Sequence, residues 1–182
     1  MKATDIDDLK KLSRVMRYLR EKRDLPLTLK ADAVVQAGWW VDASFGIHHD
    51  MKSHTGGIMS LGKGAIYATS RRQRLNTRSS TEAELVGIND VLSQVLWTWY
   101  FMESQSYPAH PTKLYQDNMS TILLGKNGNE SNSKRTWHID VRYFFITDWV
   151  ANKEIEIIYC PTGVMLVDLL TKPLQGSLFK NL

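Results

Sequence analysis

A single cysteine, Cys160, in 182 residues excludes an internal disulfide and suits a reducing compartment. Long apolar runs are missing as well: no stretch approaches the roughly 18 consecutive apolar residues of a membrane-spanning helix. The opening MKATDIDDLKKL is charged and lacks the apolar centre of a secretory signal, so an intracellular, cytoplasmic protein with no membrane partner is expected. Neither sign of charge dominates, since the net +4 permits a polyanionic partner without demanding one. With 43% hydrophobic residues, the chain can bury one good core, while its length argues against a second full domain.

Along the chain, Ile6, Leu9, Leu12, Met16 and Leu19 recur at helical spacing among Lys10, Lys11, Arg14, Arg17 and Arg20. The apolar stripe of this helix is expected to pack on the domain, and its basic flank offers a possible nucleic-acid surface. After Pro26 the text changes to LTL, VVQAGWWVDASF, GGIMSL and GAIYATS, short runs that read as antiparallel strands. Gly62-Lys63-Gly64 lies between two of them and reads as a hairpin turn, because no helix follows to make it a phosphate loop.

From Thr81 to about Ser104, Leu85, Ile88, Leu92, Val95, Leu96 and Trp99 share one helical stripe. A short strand KLYQ then leads through Asp117-Asn118 into a short helix, and a polar loop over 125–135 precedes a helix from His138 to about Lys153. The strand IEIIYC and a last helix containing MLVDLL complete an α/β order. Trp39, Trp40, Trp97 and Trp99 lie on apolar runs and are expected in the core.

Acidic residues recur where these elements end: Asp42 in VDAS, Glu82 and Glu84 in STEAEL, Asp117 in YQDN, Asp168 in LVDLL. An aspartate set after GWWV in an apolar strand would cost several kcal/mol if buried unpaired. Hard divalent cations neutralise such groups: Mg²⁺ prefers oxygen ligands, and a pair about 4 Å apart can serve both the attacking and the leaving oxygen of a phosphodiester. Taken singly, each acid more often caps a helix or closes a turn; their joint pattern is what points to metal.

The runs SHTGGIMSLGKGAIYATSRRQRLNTRSSTEAEL, QDNMST, TWHIDVRYFF and IEIIYCPTGVMLVDLLTKPL, in that order, resemble the ribonuclease H domain of copia-type LTR retrotransposon polyproteins. The resemblance covers roughly Ala37 to Leu174, and LKKLSRVMRYLREKRDLPLTL looks like the segment joining that domain to a reverse transcriptase. It divides the chain into a linker helix at 1–30, a ribonuclease H domain at 31–176 and a tail at 177–182. It implies a five-stranded mixed sheet flanked by helices, three antiparallel strands first and then two parallel ones. It further implies cleavage of the RNA strand of RNA–DNA hybrids with two Mg²⁺ or Mn²⁺ ions. The reverse transcriptase domain of the same polyprotein would be its partner, in the cytoplasm or in a virus-like particle.

Carried across, the four metal and catalytic acids would be Asp42, Glu84, Asp117 and Asp168. The second remains open between two glutamates. On an ideal helix Glu84 falls about 60° from the centre of the apolar stripe and Glu82 about 100° away on its other side, so Glu84 is favoured. Ser79-x-x-Glu82 would form a capping box, although Thr81-x-x-Glu84 offers the same arrangement.

The auxiliary histidine of many ribonucleases H has no counterpart between Tyr159 and Asp168. His138 is the candidate stand-in, with a helix-capping role as its alternative. Arg71, Arg72, Arg74 and Arg78, with Lys134 and Arg135, could meet phosphates, while Ser44, Asn118 and Ser120 could reach 2′-hydroxyls. His48, His49 and His54 fit no zinc spacing with Cys160 and are expected in a solvated turn. Two rival functions share the core: a silent nucleic-acid-binding connection module, which would lack one of the acids, and an integrase-like strand-transfer nuclease, whose last acid would be a helix glutamate.

Overall fold

The computed structural model of the chain describes residues 5–108, 110–127 and 140–181. Its elements are α1 (Ile6–Glu21), β1 (Lys30–Ala31), β2 (Gly38–Ser44), β3 (His54–Ser60), β4 (Gly62–Lys63), β5 (Tyr67–Arg72), α2 (Ser80–Ser104), β6 (Thr112–Gln116), α3 (Met119–Asn127), α4 (Asp140–Ala151), β7 (Ile155–Tyr159), α5 (Asp168–Thr171) and α6 (Gly176–Asn181). A five-stranded sheet runs β5-β3-β2-β6-β7. The β5, β3 and β2 strands pair antiparallel, and β2, β6 and β7 pair parallel. This is the five-stranded mixed sheet that the family resemblance implies, in the α/β order read from the runs. Beside it, β1 and β4 form a separate two-stranded ribbon.

Strand alternation explains how β2 serves two layers. Trp39 and Val41 join the core made with Ile88, Val91, Leu92 and Val95 of α2, together with Leu114, Ile146 and Ile157. Trp40 faces the other way, stacks on Tyr115 at 4.7 Å and borders a smaller core of Ile58, Cys160, Met165 and Val167. Because both faces are covered, GWWVDAS reads as a nearly continuous apolar run rather than an alternating one.

The paired glycines of β3 set how closely the two layers approach. A Cβ at Gly56 would lie 2.6 Å from Thr171 Cγ2 and 2.8 Å from Val167 Cγ2, and one at Gly57 would lie 2.8 Å from Val91 Cγ1. Gly56 therefore admits α5 on one face and Gly57 admits α2 on the other. Asp42 is paired with Gly56 across the β2–β3 ladder, so the close seat of α5 is also the seat beside Asp42.

Several expectations are corrected. No residue of α1 is buried, and Ile6, Leu9, Leu12, Met16 and Leu19 all face outward, so its stripe does not pack on the domain. The helix touches α6 through an edge-on Tyr18–Phe179 ring contact. Leu27–Leu29 is not a strand; pairing begins at Lys30. The helix around MLVDLL shrinks to Asp168–Thr171 behind a 3-10 turn at Thr162–Val164, because Met165 and Val167 are fully buried in the smaller core, and it is not the last, since α6 follows. Trp97 is 61% exposed and stacks on Phe101, one turn along α2, instead of entering the core. Tertiary packing selected one side of a helix whose apolar residues run nearly all round.

Gly56→Ala should lower stability by about 1–3 kcal/mol, the usual range for an overpacked core, and shift the urea midpoint accordingly. Gly163→Ala is the control: nothing lies within 4 Å of the point its methyl group would occupy, so a change within about 0.5 kcal/mol is expected.

Candidate active site

Pairing between β2 and β6 stops at Trp40 and Tyr115, so Asp42 lies beyond the last rung. Here the sheet passes from its antiparallel to its parallel half, and chains leave toward opposite sides. Open α/β sheets form crevices at such a switch. Asp42 enters it from β2, Glu84 from one turn inside α2, and Asp117 from the residue after β6. Each offers one carboxylate oxygen, and the three oxygens lie within 4.8 Å of one another. Asp42 and Glu84 are only 2% and 5% exposed, whereas Asp117 is half-buried.

The surroundings fix these groups. Gln116 Nε2 donates to Glu84 Oε2 at 3.1 Å, while its Oε1 accepts from the backbone N–H groups of Asp117 at 2.8 Å and Asn118 at 3.1 Å. One buried amide thus holds two of the three acids in place. Thr162 Oγ1 donates to Asp117 Oδ2 at 2.9 Å, and the Thr171 hydroxyl donates to Asp42 Oδ2. Ser44 Oγ donates to the Thr171 carbonyl at 2.7 Å, and Ser70 Oγ to that of Leu170 at 2.9 Å, so both β2 and β5 grip α5.

Asp168 is 4% exposed but stands outside the three-carboxylate group. Its Oδ1 accepts from Lys172 Nζ at 2.7 Å, and the same ammonium lies 3.8 Å from Asp42 Oδ1. Burial alone would lower the lysine's pKa; the hydrogen bond to Asp168 and the charge of Asp42 outweigh it and raise the value. Burial pushes the Glu84 carboxyl up to about 9, with the Asp42 charge adding to the shift. Burial likewise raises Asp42, against the lowering influence of Thr171 and Lys172. Hard oxygen donors packed this closely, with two of them held above their ordinary range by burial and mutual repulsion, are the donor set that Mg²⁺ or Mn²⁺ accepts.

The two candidate glutamates part company. Glu84 joins the acids, while Glu82 Oε2 accepts from Arg78 N at 2.6 Å beside the Ser79 cap, whose Oγ accepts from Glu82 N at 3.1 Å. Glu82 therefore reaches one residue farther back than a capping box requires. Asn118 caps α3 by accepting from Thr121 N at 3.1 Å, and Ser120 is exposed. Arg71 bonds the Asp90 carbonyl and approaches its carboxylate, and Arg72 pairs with Asp50 at 3.1 Å. Arg74 and Arg78 are exposed, with no ion-pair partner among the described residues. His138, Lys134 and Arg135 lie outside the described residues.

His54 is not in a turn but opens β3, where it contacts His48 Nε2 at 3.1 Å and Ser70 Oγ at 2.8 Å. Sequence reasoning passed over Gln116, Thr162, Thr171 and Lys172. Two of these left a signal: a glutamine at an apolar-phase position of TKLYQ, and a lysine four residues after Asp168.

No protein-family profile matches the chain. The solved structures that it resembles share its fold. An N-terminal RNase H domain from Mycobacterium tuberculosis aligns with a TM-score of 0.53 at 8% identity, over 81% of this chain and 98% of that one. The metagenomic ribonuclease H LC11, solved in complex with an RNA/DNA hybrid, aligns with a TM-score of 0.54 at 9% identity, over 74% and 93%. The fold is that of ribonuclease H.

The sequence relatives narrow this. The Pol polyprotein of transposon RE2 from Arabidopsis thaliana is 31% identical over 172 residues, 93% of this chain. The chain is a homologue of the retrovirus-related Pol polyproteins of copia-type transposons. It spans about 12% of the length of those curated relatives.

Glu84 gives a pH signature without metal. Its neutral form is favoured in the fold up to about 9, whereas the unfolded chain ionises it near 4.5. Stability from this group is therefore full below about 4.5 and is lost as pH rises toward about 9. In chelator, Tm should fall across that window, by about 2–4 °C for each kcal/mol lost. Glu84→Gln should flatten the decline, as differential scanning calorimetry at several pH values would show.

Proposed function

We propose that this chain is a ribonuclease H that hydrolyses the RNA strand of RNA–DNA hybrids, using divalent ions held by Asp42, Glu84, Asp117 and Asp168. The observation that carries the reading is the convergence of three carboxylates, two of them buried, at the switch point of a ribonuclease H sheet. Two Mg²⁺ or Mn²⁺ ions would supply the charge that activates a water and offsets the charge developing on the leaving sugar oxygen.

The chain's own residues do the positioning. Gln116 keeps Glu84 and Asp117 at a fixed separation, and Thr171 keeps Oδ2 of Asp42 engaged while Oδ1 faces Lys172 at 3.8 Å. Arg74 and Arg78, on the approach to α2, neutralise backbone phosphates, with Arg71 and Arg72 able to join by exchanging Asp90 and Asp50 for phosphate. Asn118 and Ser120 lie next to Asp117, where a 2′-hydroxyl of the cut strand would pass, and Ser44 supports α5. The LC11 enzyme bound to its RNA/DNA hybrid supports the choice of substrate. The Pol relatives support a reverse transcriptase partner and a cytoplasmic or particle-borne setting, with α1 and residues 22–30 as the connection. Among the described residues no helix is long and apolar enough to cross a membrane.

The test is incubation with labelled RNA–DNA hybrid, double-stranded RNA and duplex DNA, with Mg²⁺, Mn²⁺ or chelator. Only the RNA of the hybrid should be cut, and chelator should stop it; equal cutting of duplex DNA would overturn the reading. Asp42→Asn and Glu84→Gln should each lose at least about 100-fold in turnover while remaining folded. Glu82→Gln should keep near-normal turnover and lose at most about 1 kcal/mol of stability, measured by urea titration. Exchange of the two glutamate results would move the second acid to Glu82.

A further inference from the structure

Lys172 is the one cation among the described residues that pairs with Asp42 or Asp168. Its ammonium stands 2.7 Å from Asp168 and 3.8 Å from Asp42, and those two side chains are 5% and 3% exposed. The Lys172 side chain is 35% exposed, but three bonds anchor the two residues before it. Leu170 and Thr171 are gripped through their carbonyls by Ser70 and Ser44, and the Thr171 hydroxyl binds the same aspartate that Lys172 faces. Lys172 N also donates to the Asp168 carbonyl at 2.9 Å, closing the last turn so that the side chain projects back over Asp168. Asp42 belongs to the three-carboxylate group and Asp168 does not, so the ammonium stands between that group and the fourth acid.

We propose that the Lys172 ammonium is a tethered cation occupying the space between Asp42 and Asp168. A first divalent ion then enters readily at Asp42, Glu84 and Asp117, and a second, toward Asp168, enters only by displacing the lysine. This rests on the metal reading of the acid cluster given above. Without metal, Lys172 offsets the repulsion between two nearly buried carboxylates; with one ion bound, it completes the neutralisation. It acts on the chemistry through Asp168 and Asp42, and is thus a positioning residue. The two ions should consequently bind with unequal affinities, and the inequality should depend on the charge at position 172.

Mn²⁺ binding to the full chain without substrate, counted by electron paramagnetic resonance and by calorimetry, tests this directly. Wild type should bind one ion and then a second at least ten-fold more weakly. Lys172→Met should tighten the second ion at least ten-fold and change the first less than three-fold, whereas Lys172→Arg, which keeps the charge, should retain the wild-type inequality. Equal affinities in wild type, or a second ion no tighter in Lys172→Met, would overturn the proposal while leaving the metal site intact. If wild type binds no Mn²⁺, the metal reading fails and the proposal with it.

Should Lys172→Met not fold, wild type alone decides. Acetylation of Lys172, read by mass spectrometry against exposed Lys10 and Lys11, should rise several-fold only when the second ion binds. Labelling that stays constant through the titration would overturn the displacement.

Discussion

Carboxylates repel one another, and they repel more strongly when water is removed. Asp42, Glu84 and Asp117 bring oxygens within 4.8 Å of one another, two of them from nearly buried side chains. Much of the surrounding arrangement answers that repulsion. Thr171 donates to Asp42, Gln116 to Glu84, Thr162 to Asp117, and Lys172 places a positive charge against Asp42 and Asp168. In a cluster supported in this way, the expense of gathering the acids is met during folding.

Holding the acids there requires the sheet to be thin and closely covered. Gly56 lets α5 approach β3 from one side while Gly57 lets α2 approach from the other, and Asp42 stands opposite Gly56 in the ladder. A side chain at either glycine would push away the helix that carries Asp168 or the helix that carries Glu84. The geometry of the site and the packing of the core are therefore one problem. Core packing and the placing of the acids meet at two adjacent residues that carry no functional group.

The outer surface has a different logic. α1 turns Leu9, Leu12, Met16 and Leu19 outward, and α2 exposes Trp97, Tyr100 and Phe101 on the side away from its buried stripe. Apolar side chains exposed in contiguous stretches are uncommon on independent monomers. The chain spans about 12% of the length of its Pol relatives, so most of the polypeptide that surrounds such a segment in those proteins lies outside it.

The order of strands and helices, the stripe of α2 from Leu85 to Trp99 and the acids at element ends were legible in the sequence, because periodicity and composition are local properties. The reach of Glu84 toward the acids was legible as an angle on a helix wheel, since rotation about a helix axis follows from spacing alone. Tertiary structure decided the rest. It made α1 an exposed helix, cut the helix around MLVDLL to Asp168–Thr171 because Met165 and Val167 belong to a core, and turned Trp97 outward. It also brought Lys172 between Asp168, four residues away, and Asp42, 130 residues away, from which no local pattern could pair it. Sequence spacing specifies which way a side chain leaves its own element; what it meets depends on packing between elements distant in the chain.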